Sequence, residues 1–80
     1  MTIEQKNSIL SAYNQAVDDM RTIDENELLD SKNPVISFRA NNAHSFALGR
    51  QAGIDLALDI LGYGLVINDE DYAIDIVELE

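Results

Sequence analysis

The chain has 80 residues, of which 15 are Asp or Glu and 5 are Lys or Arg, so its formal charge at pH 7 is −10. This length predicts one domain with one small core, residues 1–80, because so short a chain buries only about 60% of its unfolded surface. The absence of cysteine excludes disulfides, thiolate metal sites and a thiol nucleophile, and makes the cytosol the expected location.

The composition also bears on how the chain behaves in solution. Apolar residues make up 46% of the chain, which favours folding over a disordered acidic tail. The longest apolar runs, such as Leu65-Val66-Ile67, are far shorter than the roughly 20 residues that cross a bilayer, and no basic leader precedes them. We therefore expect a soluble, unprocessed protein with no membrane contact. Five scattered bases also argue against direct nucleic-acid binding.

The charge is distributed unevenly along the chain. Residues 1–30 hold seven acids and two bases, residues 31–53 hold three bases and no acid, and residues 54–80 hold eight acids and no base. The three bases of the middle segment are Lys32, Arg39 and Arg50. If the first two segments pack antiparallel, we expect these bases to match the acids of the first segment. Residues 54–80 would then carry the unmatched acidic surface.

The first element is predicted to be an amphipathic helix. Thr2 is a favoured N-cap, and Gln5 completes a capping box. Apolar residues then recur at spacings of three and four: Ile9, Leu10, Tyr13, Ala16, Val17, Met20 and Ile23. The opposite face is polar: Asn7, Ser11, Asn14, Asp18 and Thr22. A second capping pattern at residues 24–27 predicts a further helical turn that ends near Ser31.

The second element is predicted to be a long helix from Pro34 to Leu61. Asn33 is a favoured N-cap, and proline suits the first helical position because its missing amide would have no intrahelical partner. A competing interpretation places a strand at residues 35–38 and begins the helix at Asn42. Gly62, at the position where a left-handed residue commonly follows a helix, is expected to end the helix.

The last segment fits two structures. Residues 65–67 and 72–77 are rich in β-branched residues, and residues 68–71 can form a four-residue turn, which together indicate a β-hairpin. Asn68 followed by three acids is also a good helix start. We therefore predict a mainly α fold of the α+β type, with an antiparallel pair of long helices and a short C-terminal hairpin. The alternative is an all-α three-helix bundle.

Candidate catalytic and metal-binding groups do not assemble into a motif. His44 and Ser45 have no nearby sequence acid, so His44 is interpreted as a surface histidine. Asp55 and Asp59 stand four residues apart, but the chain has no tryptophan to build a sugar-binding cleft. A calcium-loop pattern begins at Asp69 and ends at Glu80, but it has apolar residues where the loop needs an oxygen ligand and a glycine. We expect no enzyme activity, no cofactor and no metal site.

A ridge of small residues runs along the second helix. Its members are Gly49, Gly53 and Ala57, at a spacing of four. Since glycine costs about 1 kcal/mol relative to alanine inside a helix, the ridge indicates close approach of another backbone. That backbone is either the first helix of the same chain or a second copy in a homodimer.

The acidic C-terminal segment is the candidate partner-binding surface. Its predicted binding residues are Asp55, Asp59, Asp69, Glu70, Asp71, Asp75 and Glu78. Carboxylates four apart on a helix or two apart on a strand are about 6 to 7 Å apart, comparable to two phosphate steps of nucleic acid. Such a surface can act as a DNA mimic in a cationic groove, although solubility alone explains an acidic surface equally well.

Residues 41–53 and 57–62 resemble small proteins of bacteriophages and mobile elements. In size and charge the chain is similar to the anti-CRISPR inhibitors, several of which present acidic surfaces to the nucleic-acid channel of a Cas protein. The resemblance implies an inhibitor in the host bacterial cytosol that binds a protein with a cationic nucleic-acid groove, such as a Cas nuclease. The alternative is a homo-oligomeric accessory or structural module without catalytic activity.

Overall fold

The computed structural model describes residues 1–79 and contains two long helices followed by a β-hairpin. Helix α1 spans Ile3–Glu25, a short 3-10 turn spans Leu28–Asp30, and helix α2 spans Pro34–Ile60. Strands β1 (Tyr63–Ile67) and β2 (Ala73–Glu78) form a two-stranded antiparallel sheet. The predicted fold, mainly α with a short C-terminal hairpin, is confirmed, and the three-helix alternative is wrong.

Both helices begin where their capping residues predict. The Gln5 amide donates to the Thr2 hydroxyl at 3.1 Å, and the Thr2 amide donates to the Gln5 side chain at 2.9 Å, which completes the capping box. At α2, the Asn33 side chain accepts from the Val35 amide at 3.0 Å. The strand proposed as an alternative at residues 35–38 is therefore wrong, since these residues form the first turn of α2.

The connection between the helices contains the further helical turn that the sequence predicts. It is the separate 3-10 turn Leu28–Asp30, capped at Ser31, and it follows the end of α1 at Glu25 and the left-handed residue Glu27, with φ 53°. The Ser37 hydroxyl of α2 donates to the Leu29 carbonyl at 3.0 Å, which ties the turn to the next helix. This reversal makes the two helices antiparallel, so that Asp24 near the end of α1 lies beside His44 of α2.

The hairpin follows directly from the end of α2. Gly62 has φ +84°, a conformation that L side chains rarely adopt, so its lack of a Cβ is needed for the chain to leave the helix. In the turn, the Asn68 side chain accepts from the amides of Glu70 at 2.9 Å and Tyr72 at 3.0 Å. An irregularity between Val66 and Ile67 shifts the register of the ladder, as in a β-bulge.

The core is small and lies between the helix pair and the hairpin. Strand β2 packs on α1 and β1 packs on α2, so the sheet covers one side of the two helices. The buried apolar residues are Ala16, Val17, Ile23, Ala40, Ala47, Leu58, Ala73 and Ile76. Four of these eight are alanines, so close approach of the elements contributes as much to this core as large side chains do.

Candidate functional site

The side chain of Asn14 on α1 forms two hydrogen bonds with the hairpin. Its side-chain amide donates to the Ala73 carbonyl at 2.9 Å, and its carbonyl oxygen accepts from the Ala73 amide at 2.7 Å. The sequence placed Asn14 on the solvated face of α1, and this prediction is wrong because the hairpin covers that side of the helix. The pair of hydrogen bonds satisfies both backbone groups of a residue that is only 3% exposed.

A second group of side chains holds the hairpin turn against α1. The Tyr72 hydroxyl donates to the Asp18 carboxylate, and the Arg21 guanidinium lies 4.9 Å from the centre of the Tyr72 ring. Arg21 also donates to the Glu70 carbonyl. The sequence had placed Asp18, like Asn14, on the solvent side of α1. The hydrogen bond to Asp18 is the main reason that the pKa of Tyr72 is raised above its ordinary value.

A cleft of about 310 Å³ opens where α1, α2 and the turn meet. Tyr13, Arg21 and Asp24 of α1 line it, together with Gln51 of α2 and Asp71 of the turn. Burial raises the pKa of the Tyr13 phenol, and the negative charges of Asp55 and Asp71 raise it further. Two of the predicted binding carboxylates, from α2 and from the turn, therefore act on the same phenol.

The predicted acidic surface is divided into two parts. Asp69 and Glu70 are exposed in the turn beside Asp71, and Asp59 is exposed one helical turn beyond Asp55. Asp59 lies further from the turn than Asp55 does, near the end of α2. We call these five carboxylates the turn-side acids: Asp55, Asp59, Asp69, Glu70 and Asp71. Among residues 1–79, none of the five has a basic side-chain nitrogen within 4.0 Å.

Asp75 and Glu78 form the other part, further along β2. Asp75 forms an ion pair with Lys6 at 3.2 Å and accepts from the Ile76 amide at 2.8 Å. The amide and then the Lys6 ammonium hold the pKa of Asp75 below its ordinary value. Glu78 lies opposite Tyr63 at the far end of the ladder and, like the turn-side acids, is exposed and forms no ion pair within residues 1–79. The sequence could not show this division, because it depends on which base of α1 lies beside the strand.

The bases of the middle segment do not neutralise α1 as the sequence suggested. The helices are antiparallel, but within residues 1–79 the ion pair of a lysine or arginine is that of Lys6 with Asp75, and the His44 Nε2 lies 3.9 Å from the Asp24 carboxylate. Arg50 lies over the Phe46 ring instead, 5.0 Å from its centre. His44, which has no acid near it in the sequence, therefore obtains one from α1.

The two glycines of the ridge of small residues face open space, whereas Ala57 lies at a groove beside α1. A Cβ added at Gly49 or Gly53 would meet no atom within 4 Å beyond its own stretch of helix. Packing of the ridge against the first helix, one of the two interpretations of the sequence, is therefore wrong for both glycines. Ala57 is also exposed and lines an apolar groove of about 270 Å³ between α1 and α2.

Neither a metal-binding cluster nor a membrane-spanning helix is found among the residues that the structure describes. Residues 1–79 contain no group of three or more His, Asp or Glu residues arranged to hold a metal ion. Glu80, the last position of the imperfect calcium-loop pattern, lies outside the described residues. No helix within residues 1–79 combines the length and hydrophobicity needed to span a membrane.

Comparison of the chain with models of protein families, with curated proteins and with solved structures finds no match. Two surfaces of this chain are candidates for binding another molecule. They are the turn-side acids and the outward side of α2.

Alkaline pH is expected to destabilise the fold through its tyrosines. The pKa values of Tyr13 and Tyr72 are raised in the folded state, so the unfolded chain loses these phenolic protons first. The free energy of unfolding should be independent of both phenols below about pH 9 and fall as the pH rises through their folded-state pKa values. Urea unfolding followed by circular dichroism at increasing pH measures this. A Tyr13→Phe, Tyr72→Phe double variant should show a smaller decline, and an unchanged decline would contradict the assignment.

Proposed function

We propose that the protein is a non-catalytic interaction protein that occupies the cationic nucleic-acid groove of a host protein. The observation that carries this proposal is the set of five turn-side acids, which are exposed and form no ion pair within residues 1–79. Carboxylates without a basic partner keep their charge available to Lys and Arg side chains of another protein. A Cas nuclease is the host protein that the resemblance to anti-CRISPR inhibitors favours.

The geometry of the turn supports the proposal because the acids are held in position before any partner arrives. The side chain of Asn68 binds two amides of the turn, and Arg21 and Asp18 of α1 hold its other side. A fixed array of charges loses little conformational entropy on binding. The contacts that fix the turn use the Glu70 carbonyl and the Tyr72 hydroxyl, so the three carboxylates of residues 69–71 stay free.

Reversing charge in the turn is expected to remove partner binding. The test variant combines Asp69→Lys, Glu70→Lys and Asp71→Asn, the last chosen because residue 71 has φ 68° and asparagine tolerates that conformation. A matched control, Glu4→Lys with Glu25→Lys and Asp30→Asn, changes the net charge equally at exposed acids elsewhere. We expect the turn variant to bind the partner at least about 10-fold more weakly and the control to bind nearly normally.

The partner itself is to be found by using the protein as bait in a bacterial lysate, with mass spectrometry of the captured proteins. The proposal requires a nucleic-acid-binding protein that is released by a double-stranded DNA oligonucleotide and by raised salt. Capture that is insensitive to the oligonucleotide, or a turn variant that binds as tightly as its control, would overturn the proposal.

The second candidate function is a homo-oligomeric accessory module. The outward position of Gly49 and Gly53 favours it, because close helix packing is the ordinary reason to accept two glycines inside a helix. Among residues 1–79, no other element lies within 4 Å of a Cβ built at either glycine. In this function the acidic surface serves solubility alone.

A further inference from the structure

The side of α2 that points away from α1 and the hairpin carries large apolar side chains towards both ends, with Asn42, Ser45 and Gly49 between them. We call this side the outer face. Its large side chains are 57–75% exposed. They are Val35, Phe38, Phe46, Leu56 and Ile60. The helical period places the charged residues of α2 on the flanks of this face and none in its centre. In a chain with 20 charged residues among 80, an uncharged face of this length is unusual.

The outer face is large enough for a specific interface. Aromatic side chains bury about 150–250 Å² each and aliphatic ones less, so two rings and three aliphatic side chains that are roughly two-thirds exposed offer at most about 600 Å² per copy. Two copies together would bury at most about 1,200 Å², the lower end of the range for stable protein–protein interfaces.

We propose that a second copy of the chain covers this face, with α2 antiparallel to α2 about a two-fold axis between Gly49 and Arg50. This proposal rests on the second candidate function and not on the turn-side acids. The axis places Phe46 of one copy at the level of Gly53 of the other, so that a large ring meets the open space beside a glycine. Phe38 likewise falls near the level of Ile60. A parallel pair would instead place each phenylalanine ring at the level of the same ring in the other copy.

The charges of α2 favour the same arrangement. The first part of the helix carries Arg39 and Arg50 and no acid, whereas the last ten residues carry Asp55 and Asp59 and no base. An antiparallel pair places Arg39 of one copy at the level of Asp59 of the other, with Arg50 next to the axis, and also opposes the two helix dipoles. A parallel pair would align the like charges. Since the whole chain carries a charge of −10, avoiding like-charge contact favours the antiparallel dimer.

The mass of the purified protein in solution tests the dimer in the absence of any other partner. Sedimentation equilibrium should give 17.8 kDa, twice the 8.9 kDa of one chain. Leu56→Lys should raise the dissociation constant by about 30-fold or more, as truncation of a central interface residue does. Ile74→Lys is the matched control, since Ile74 is exposed to a similar extent on β2 and should leave the mass unchanged. Gly53→Leu, which fills the space proposed for Phe46, should also favour the monomer.

The orientation of the helices is tested with a spin label, because the chain has no cysteine of its own. Labels on Ile60→Cys should lie about 30 Å apart along the helix axis in the antiparallel dimer, against about 10 Å across a parallel one. A short label distance would overturn the antiparallel arrangement. A monomeric mass at every protein concentration would overturn the dimer and leave the outer face to a different protein. A mass that keeps rising with protein concentration would also overturn it. None of these results bears on whether the turn-side acids bind a host protein.

Discussion

Replacing Ile76 with alanine should lower the free energy of unfolding by about 3 kcal/mol. Ile76 is 1% exposed and is the largest side chain that the fold buries completely. Its removal leaves a cavity between β2 and the helix pair, in a core where half of the buried residues are alanines with little volume to move into the gap. A domain of 80 residues has a total stability of about 4–12 kcal/mol, so the loss is a large share of it.

The control for this prediction lies two residues away on the same strand. Ile74 is 58% exposed, and Ile74→Ala removes the same atoms from a side chain that is largely in water. Urea unfolding followed by circular dichroism should show a loss for Ile74→Ala of less than about 1 kcal/mol. Equal losses for the two variants would contradict the burial of Ile76 and with it the packing of the hairpin on the helices.

The local signals of the sequence predicted α2 closely. Asn33-Pro34 and Gly62 act through hydrogen bonds and backbone angles within a few residues, so their effect is visible without knowledge of the fold. The predicted end at Leu61 differs from the observed end at Ile60 by one residue. The secondary structure of the last segment was harder to predict. Its residues are compatible with either a helix or a strand until their pairing with residues 63–67 is known.

The contacts that build the candidate site were harder to predict because they join residues far apart in the chain. Asn14 and Asp18 are separated from Ala73 and Tyr72 by more than 50 residues, and the polar pattern of α1 predicted a solvated face. One signal was present: Asn14 stands four residues after Leu10 and three before Val17, so it shares a side of α1 with two apolar residues. A polar residue in that position is typical of one that is covered and hydrogen-bonded.

The two proposed surfaces make different demands on the fold. The outer face of α2 requires only that α2 forms a continuous helix. The capping residues and the periodicity of α2 are sufficient for that. The turn-side acids need the hairpin to be held against α1, because Asp55 comes from the helix and residues 69–71 come from the turn. Loosening the hairpin should therefore weaken host-protein binding while self-association through α2 continues.

Asn14→Ala is the variant that loosens the hairpin most directly. It leaves the amide and carbonyl of Ala73 without their partners in a buried position, so the free energy of unfolding should fall by about 2–3 kcal/mol. Asn7→Ala, an exposed change on the same helix, should cost less than about 0.5 kcal/mol.

Hydrogen exchange at the Ala73 amide separates loss of this contact from general destabilisation. Its protection should fall further in Asn14→Ala than that of amides in the middle of α2, since local opening exposes the hairpin first. An equal loss of protection at the Ala73 amide and at amides in the middle of α2 would contradict the proposal that Asn14 holds the hairpin against α1. Because the substitution leaves the net charge at −10, any accompanying loss of partner binding must come from the position of the turn-side acids and not from their number.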